Sequence, residues 1–263
     1  MNWLEALILG LIQGLTEFLP VSSSGHLELG KAILGIDTKD SLSFTVVVHG
    51  ATVLSTIVVF KKDLWELVKG LFLFKWNKET KYLFRIIISM MPVAVIGVFF
   101  KDEVKVLFSE GNVVFVGSML IITALLLAST YIVKSGDKNI SSPNAIIIGI
   151  AQAIAVLPGI SRSGATIATG LLLGNKRVLV ARFSFLMVLI PILGENLLDV
   201  FSGEMIKESG IGAIPLLIGF IAAFISGLIA CKWMIGIVKR GNLIYFAIYC
   251  FLVGIIAILS NIV

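Results

Sequence analysis

The sequence predicts an all-α integral membrane protein, with six transmembrane helices plus two re-entrant helical hairpins in two inverted-topology repeats. Three observations predict this fold: long apolar stretches, two apolar regions broken by Pro, Gly and Ser, and a constant offset that superimposes one half of the chain on the other. The composition agrees, because 58% of the 263 residues are hydrophobic and 14% are charged, whereas soluble domains carry about 25% charged residues.

Six stretches are long enough to cross a bilayer, whose core requires about 20 apolar residues per helix. They are 42–60, 82–100, 112–133, 179–200, 211–232 and 243–261. We expect each of them to be a transmembrane span. The N-terminal apolar run contains Glu5 and follows no Lys or Arg, so we do not expect a removable signal peptide.

Two further apolar regions, 3–34 and 143–174, are interrupted by polar turns. The turns read LPVSSSGH at 19–26 and LPGISRSGAT at 157–166. Arms this short do not cross the bilayer comfortably, and a polar turn cannot face hydrocarbon. Each region is therefore predicted to be a re-entrant hairpin that is buried in protein.

A shift of 139 residues superimposes the two interrupted regions without a gap. It matches Gly10 with Gly149, Gln13 with Gln152, Ser22 with Ser161, Ser24 with Ser163, Gly25 with Gly164, Gly35 with Gly174, and Phe44 with Phe183. One offset for hairpins and spans indicates two copies of a unit in a single membrane domain, 1–263, with repeat one at about 1–134 and repeat two at about 143–263. Each unit has three spans, an odd number, so the copies must be inverted.

The basic residues test this topology, because Lys and Arg concentrate on the cytoplasmic side of membrane proteins. Fifteen of the 21 fall on one side of the predicted spans, five on the other, and Arg162 lies in the second turn. The larger set is Lys61, Lys62, Lys69, Lys75, Lys78, Lys81, Arg85, Lys134, Lys138, Lys176, Arg177, Arg182, Lys232, Lys239 and Arg240. Both termini are therefore predicted to lie outside, with the first hairpin entering from the outer face and the second from the cytoplasm.

The polar residues of both turns are predicted to meet near the membrane midplane. In the first hairpin, Gln13 and Glu17 are spaced i, i+4 and share a helix face before Pro20 ends the helix. The other candidate residues of this turn are Ser22, Ser23, Ser24, Gly25 and His26. The second turn supplies Ser161, Arg162, Ser163, Gly164 and Thr166.

These turns favour a bound phosphate group. Each is followed by an arm whose first N–H groups have no partner within the helix, and such helix ends attract anions. The guanidinium of Arg162 can bind two phosphate oxygens at once. An ionisable group at membrane depth costs roughly 2.5–3.5 kcal/mol on insertion scales, so Glu17 and Arg162 need a partner or a task.

Structural roles are the alternatives. Glu17 and Arg162 could simply pair with each other, and Ser and Gly are common where membrane helices approach closely. His26 could be a packing or capping group, although its position just beyond the serine run favours a catalytic role. His49 is left open between a supporting and a structural role. Solvated interface positions are expected for Glu195 and Asp199.

The segments GLTEFLPVSSSGH and LPGISRSGAT resemble the two signature segments of the bacterial undecaprenyl-diphosphate phosphatases linked with bacitracin resistance. The resemblance extends over essentially the whole chain. It implies a multi-pass enzyme of the bacterial cytoplasmic (inner) membrane that removes one phosphate from undecaprenyl diphosphate, recycling the lipid carrier of cell-wall synthesis. It also implies a divalent cation, Mg²⁺ or Ca²⁺, and an active site reached from the outer face.

By position, the resemblance implies that Glu17 is the essential acidic residue, that Ser23 and His26 form the nucleophile region, and that Arg162 clamps the phosphate. Many members have Glu where this chain has Gln13, so we expect Glu17 to bind the metal with phosphate oxygens and water. We expect Ser23 to attack the terminal phosphorus while His26 handles the proton. A rival assignment makes His26 itself the nucleophile.

A transporter or flippase of polyprenyl phosphate is the alternative function, because inverted repeats with broken helices are typical of secondary carriers. A carrier would not need Ser23 or His26 for chemistry. The expected partners are a polyprenyl diphosphate and membrane lipid, and a homodimer is left open. Nucleic acid is not expected, because the residues behind the net charge of +5 lie between apolar runs and form no basic stripe.

Overall fold

The computed structural model describes residues 1–36, 42–100, 103–104, 112–133, 136–194 and 211–260. Glu195 and Asp199 lie outside these ranges. Within them the chain is helical, apart from an isolated bridge between Lys138 and Asn175. The helices are α1 (Trp3–Phe18), α2 (Ser23–Leu34), α3 (Leu42–Val59), α4 (Lys61–Phe72), α5 (Lys78–Phe99), α6 (Val113–Ile132), α7 (Ser142–Ile154), α8 (Arg162–Leu172), α9 (Arg177–Met187), α10 (Ala213–Arg240) and α11 (Ile244–Ser260).

Among the described residues, four helices are long and apolar enough to cross a membrane, or five if the bent pair α3 and α4 is taken as one span. The four are α5, α6, α10 and the helix that starts as α9 and continues to Gly194. Helix α11 is equally apolar but has 17 residues. The prediction of an all-α membrane protein is confirmed at this level, and the protein crosses the membrane several times.

The helix boundaries differ from the predicted spans in two places. Helix α10 has 28 residues and continues past the predicted end at 232, until Gly241 stops it with a positive φ of 78°. Glycine adopts this left-handed conformation without steric cost. Helix α5 begins at Lys78, because the side chain of Asn77 accepts a hydrogen bond from the amide of Thr80 and caps the helix there.

Helix α4 was not predicted from the sequence. It follows α3 after a break at Phe60 and is bent by 74° from it. Five of its twelve residues are charged, which makes it unsuited to the hydrocarbon core. The charged residues lie mainly on one face of the helix, a pattern that is typical of a helix lying along a surface.

Two helical hairpins occupy the interrupted apolar regions. Helices α1 and α2 pack together around the turn 19–22, and α7 and α8 pack together around 155–161. The two turns contact each other: a Cβ on Gly25 would lie 3.1 Å from Cα of Gly159, and a Cβ on Gly164 would lie 3.4 Å from Cβ of Pro20. Small residues therefore let the two turns approach closely.

The first arm of each hairpin packs against a long helix of the other half of the chain. Helix α1 lies against α10, where Gly10 meets the backbone of Gly219. Helix α7 lies against α5, where Gly149 meets the backbone of Ser89. Such close packing of backbones stabilises the association of membrane helices, because lipid provides no hydrophobic force to bring them together.

Gly14 is predicted to be intolerant of a larger side chain. A Cβ there would overlap the Ser226 side chain and the Ala223 carbonyl of α10, and such overpacking costs about 1–3 kcal/mol. We expect Gly14→Leu to lower the thermal unfolding temperature in detergent, as measured by circular dichroism. Gly97→Leu is the control, because within the described ranges no atom beyond the neighbouring backbone of its own helix lies within 4 Å of a Cβ at that position. Equal melting of the two variants would contradict the packing described.

Candidate functional site

The two hairpin turns bring the polar residues of both halves into one cluster. The hydroxyl of Ser163 in the second hairpin donates to the carbonyl of Leu19 in the first, at 3.2 Å. A cleft opens beside this contact, and both polar and apolar residues line it. The polar ones are Glu17, Thr52, Thr56, Arg162, Ser163 and Ser184. The apolar ones are Phe18, Val53, Phe185, Val188, Leu189 and Ile192. The cleft therefore places charged and apolar side chains around one space.

Glu17 is the centre of the cluster, and its side chain is 5% accessible. One carboxylate oxygen, Oε1, accepts a hydrogen bond from the guanidinium of Arg162. The other, Oε2, accepts from Nε2 of Gln13 at 2.9 Å and from the hydroxyl of Ser23 at 2.7 Å. Nε2 of His49 lies 4.0 Å from the same oxygen. A buried charge requires compensation of this kind.

The pairing of Glu17 with Arg162 joins residues 145 positions apart in the sequence. Their side chains differ in exposure, since that of Arg162 is 28% accessible and that of Glu17 is 5% accessible. The exposed part of the guanidinium lines the cleft. Arginine has five N–H donors, so it can hold Glu17 and still offer donors to an anion.

The second arms of the two hairpins start in the same way. The Ser22 hydroxyl accepts from the amide of Gly25 at 3.3 Å, and the Ser161 hydroxyl accepts from the amide of Gly164 at 3.0 Å. These serines are N-caps. The first helical residues after the caps are Ser23 and Arg162, which the 139-residue shift superimposes. Each N-terminus still has N–H groups without an acceptor in its helix, which are available to an anion.

Several predicted substrate-binding groups also have structural partners. The capping bonds of Ser22 and Ser161 engage their hydroxyls, and Ser24 lies 3.4 Å from Ser22 between the two Oγ atoms. The hydroxyl of Thr166 lies 2.9 Å from the carbonyl of Arg162 and 2.6 Å from the hydroxyl of Ser184. Thr166 therefore orients Ser184, a residue that lines the cleft and that no pattern in the sequence distinguished.

The ring nitrogens of His26, which is expected to handle the proton of Ser23, lie next to other partners in the described structure. Its Nδ1 donates to the carbonyl of Ser22 at 2.8 Å, and its Nε2 lies 2.8 Å from the hydroxyl of Tyr249. The two rings stack, with centroids 5.5 Å apart. Both ring nitrogens are thus engaged, while the Ser23 hydroxyl donates to Glu17. Tyr249 had no distinguishing sequence signal, because it lies in an apolar helix far along the chain.

His49, which the sequence left open between a supporting and a structural role, lies beside Glu17 in the cluster. Its Nδ1 donates to the carbonyl of Thr45 at 2.8 Å, and this bond points Nε2 towards the carboxylate. The ring faces Glu17 because α3 crosses beside the first hairpin. A signal for this contact was present in the sequence, since His49 is one of only two histidines.

Gln13 has an acceptor that suits a cation. Its side chain is fully buried, and among the residues that the structure describes its Oε1 atom has no hydrogen-bond partner. Mg²⁺ and Ca²⁺ prefer oxygen ligands such as carboxylate and amide oxygens. The part of the chain that the structure describes has no group of three or more His, Cys, Asp and Glu residues arranged for a metal. A cation here would therefore need oxygens from substrate or water besides Glu17 and Gln13.

Comparisons with known proteins cover nearly the whole chain. The family model described as bacitracin resistance protein BacA matches residues 6–256. An undecaprenyl-diphosphatase of Bacteroides fragilis is 59% identical over 266 residues, covering 99% of this chain and 99% of that protein. Undecaprenyl-diphosphatases of Parabacteroides distasonis and Salinibacter ruber are 58% and 42% identical, covering 98% and 97% of this chain and 98% and 97% of their own lengths.

The Glu17–Arg162 pair is predicted to be energetically coupled. In a double-mutant cycle with Glu17→Gln and Arg162→Gln, we expect the single variants to lose more stability in sum than the double variant, with a coupling of about 1–3 kcal/mol. Thermal unfolding in detergent measures it. The matched control is the more exposed pair Asp63 and Arg182, with side chains 27% and 36% accessible, where coupling below about 1 kcal/mol is expected. Additive effects at Glu17 and Arg162 would rule out the coupling.

Proposed function

This chain belongs to the bacitracin resistance protein BacA family, and we propose from that membership the reaction and the residue roles that follow. The protein is an undecaprenyl-diphosphatase: it hydrolyses undecaprenyl diphosphate to undecaprenyl phosphate and inorganic phosphate, which recycles the lipid carrier of cell-wall synthesis. The observation that supports the catalytic assignment best is the hydrogen bond from the hydroxyl of Ser23 to the buried carboxylate of Glu17.

Ser23 is the proposed nucleophile, and Glu17 is the proposed acceptor of its proton. The distance of 2.7 Å between the Ser23 hydroxyl and Glu17 Oε2 suits direct proton transfer. Attack by Oγ on the terminal phosphorus forms a phosphoserine and breaks the bond to the bridging oxygen, which leaves with undecaprenyl phosphate. Water then hydrolyses the phosphoserine and releases inorganic phosphate. This assignment gives to Glu17 the proton transfer that the sequence interpretation gave to His26.

Arg162 and the two helix N-termini form the proposed phosphate-binding site. The guanidinium has donors beyond the one that Glu17 accepts, and α2 and α8 both begin at capped ends, with Ser23 and Arg162 of the cluster as their first residues. These positive groups stabilise the charge on the transferring phosphoryl oxygens. The apolar wall of the cleft, which includes Phe185 and Val188, suits the first part of the prenyl chain.

A divalent cation, Mg²⁺ or Ca²⁺, is proposed as the cofactor. Glu17 and the unpartnered Oε1 of Gln13 would hold it, with phosphate oxygens and water completing its shell. When bound, such a cation neutralises charge on the diphosphate. The amide nitrogen of Gln13 donates to Glu17, so the amide group of Gln13 lies beside that carboxylate.

The proposed topology is two inverted repeats in the cytoplasmic membrane, with both termini outside, six spans and two re-entrant hairpins. Two corresponding contacts support it: α1 packs on α10, and α7 packs on α5. They correspond because the 139-residue shift carries α1 onto α7. The matched caps at Ser22 and Ser161 also support it. In this arrangement the diphosphate binds inside the membrane while its prenyl chain stays in apolar surroundings.

Removal of the Ser23 hydroxyl is predicted to abolish turnover. We expect Ser23→Ala to lower phosphate release from undecaprenyl diphosphate by at least about a thousandfold, since the nucleophile is lost. The wild-type enzyme quenched in acid should retain labelled phosphate on serine. The control is Ser129→Ala, whose hydroxyl bonds only to the helix carbonyl of Leu126 in the described structure.

Each other outcome of the trapping experiment identifies a different mechanism. An acid-labile phosphoenzyme would assign the nucleophile to histidine, and no covalent species would indicate direct attack by water. In a separate transport assay, movement of the lipid across the vesicle membrane without phosphate release would favour a carrier.

The cation requirement is predicted to depend on Gln13. Chelation should abolish phosphate release, and added Mg²⁺ or Ca²⁺ should restore it. We expect Gln13→Leu to need an at least tenfold higher cation concentration for half-maximal activity, on the order of the loss seen when a metal ligand's surroundings are altered. Unchanged cation dependence in this variant would show that Gln13 is not a ligand of the cation. Full activity in the presence of chelator would show that the enzyme does not require a cation.

A further inference from the structure

We propose that helix α4 and the turn after it, residues 61–78, bind the surface of the membrane and select anionic phospholipid headgroups. The segment contains five lysines and two acidic residues: Lys61, Lys62, Lys69, Lys75 and Lys78, with Asp63 and Glu66. It is thus a positively charged element attached to a membrane-embedded protein. Anionic headgroups attract basic segments that lie close to the membrane surface.

One side of α4 is fixed to the protein. Leu64 and Leu67 pack against the main hydrophobic core, and Asp63 forms an ion pair with Arg182 of α9. Gly70 is buried, and its carbonyl accepts a hydrogen bond from the side chain of Asn77 at 2.9 Å. These contacts hold the helix at the end of α3 and determine which residues point away from the protein.

The opposite side of α4 presents an exposed apolar stripe. Trp65, Val68 and Phe72, at helical spacing, are 60%, 43% and 70% accessible. The stripe continues into the turn, where Phe74 is 91% accessible and Trp76 is 63% accessible. Phe74 also has a positive φ of 48°, a conformation that is unfavourable for an aromatic residue. Such a display of aromatic rings is typical of segments that enter the lipid headgroup region.

The lysines lie beside this stripe, as expected for contact with anionic lipid. Nζ of Lys69 lies 5.3 Å from the ring centroid of Trp65, so a cationic head is held next to an aromatic ring. Lys61, Lys62 and Lys75 are exposed as well. Lysine side chains in this setting extend to the phosphate level while their methylene stems cover apolar surface. A neutral protein partner would leave these charges uncompensated.

Fluorescence quenching tests the proposal on the full-length protein. The chain has four tryptophans, and the double substitution Trp3→Phe and Trp233→Phe leaves Trp65 and Trp76 as reporters. This protein is reconstituted into phosphatidylcholine vesicles that contain phosphatidylglycerol, with bromine on the acyl chains of one lipid or of the other. We expect brominated phosphatidylglycerol to quench at least about twofold more strongly than an equal amount of brominated phosphatidylcholine.

Two charge variants show which residues select the lipid. Replacing Lys61, Lys62, Lys69 and Lys75 by Gln should abolish the difference between the two brominated lipids, while helix propensity is kept. The matched control replaces the exposed basic residues Lys232, Lys239 and Arg240 of α10 by Gln, and should retain the difference. Circular dichroism confirms that both variants are folded.

Three results would overturn the proposal. Equal quenching by both lipids in the parent protein would exclude anionic selectivity. Absence of quenching by either lipid would show that the aromatic stripe lies outside the bilayer surface or is covered by a second copy of the chain. Loss of selectivity in the α10 control would assign the effect to general surface charge. None of these results depends on catalysis, so the phosphatase assignment is tested separately.

Discussion

The structure around the site depends on the burial of one carboxylate inside a membrane protein. Glu17 cannot be left unpaired at 5% side-chain accessibility, because a buried charge without partners is strongly unfavourable. Its partners come from both hairpins: Gln13 and Ser23 from the first and Arg162 from the second. The requirement to compensate Glu17 therefore ties the two halves of the chain together at the place where the reaction is proposed.

The two hairpins contribute chemically different groups to the site. Matching caps at Ser22 and Ser161 start α2 and α8, yet the next residue is Ser23, the proposed nucleophile, in one hairpin and Arg162 in the other. Val156 occupies the position that the shift matches to Glu17. The matching caps thus supply two helix N-termini to one cluster, while the differences in sequence separate the proposed roles of attack and charge stabilisation.

Close packing of small residues makes this convergence possible. Gly25 and Gly159 let the turns approach, and Gly10 and Gly149 let the first arms lie against long helices. Outside this packed centre, large apolar residues remain exposed on the long helices, as lipid-facing surfaces require. Helix α4 differs from them because its charged face excludes it from hydrocarbon, so it occupies the boundary between lipid and water.

The sequence by itself determined the membrane class, the main apolar helices and the two interrupted regions, because hydropathy and the effects of Pro and Gly act locally. It also identified Glu17 and Arg162, since ionisable groups within apolar regions are rare. It did not indicate α4, which is rich in charge. The tertiary structure decided that Ser23 bonds to Glu17, that His26 pairs with Tyr249, and that His49 faces the carboxylate. These contacts join separate helices, and the contact between His26 and Tyr249 joins residues 223 positions apart. Their distances follow from how the helices pack and turn, which local patterns of residues do not specify.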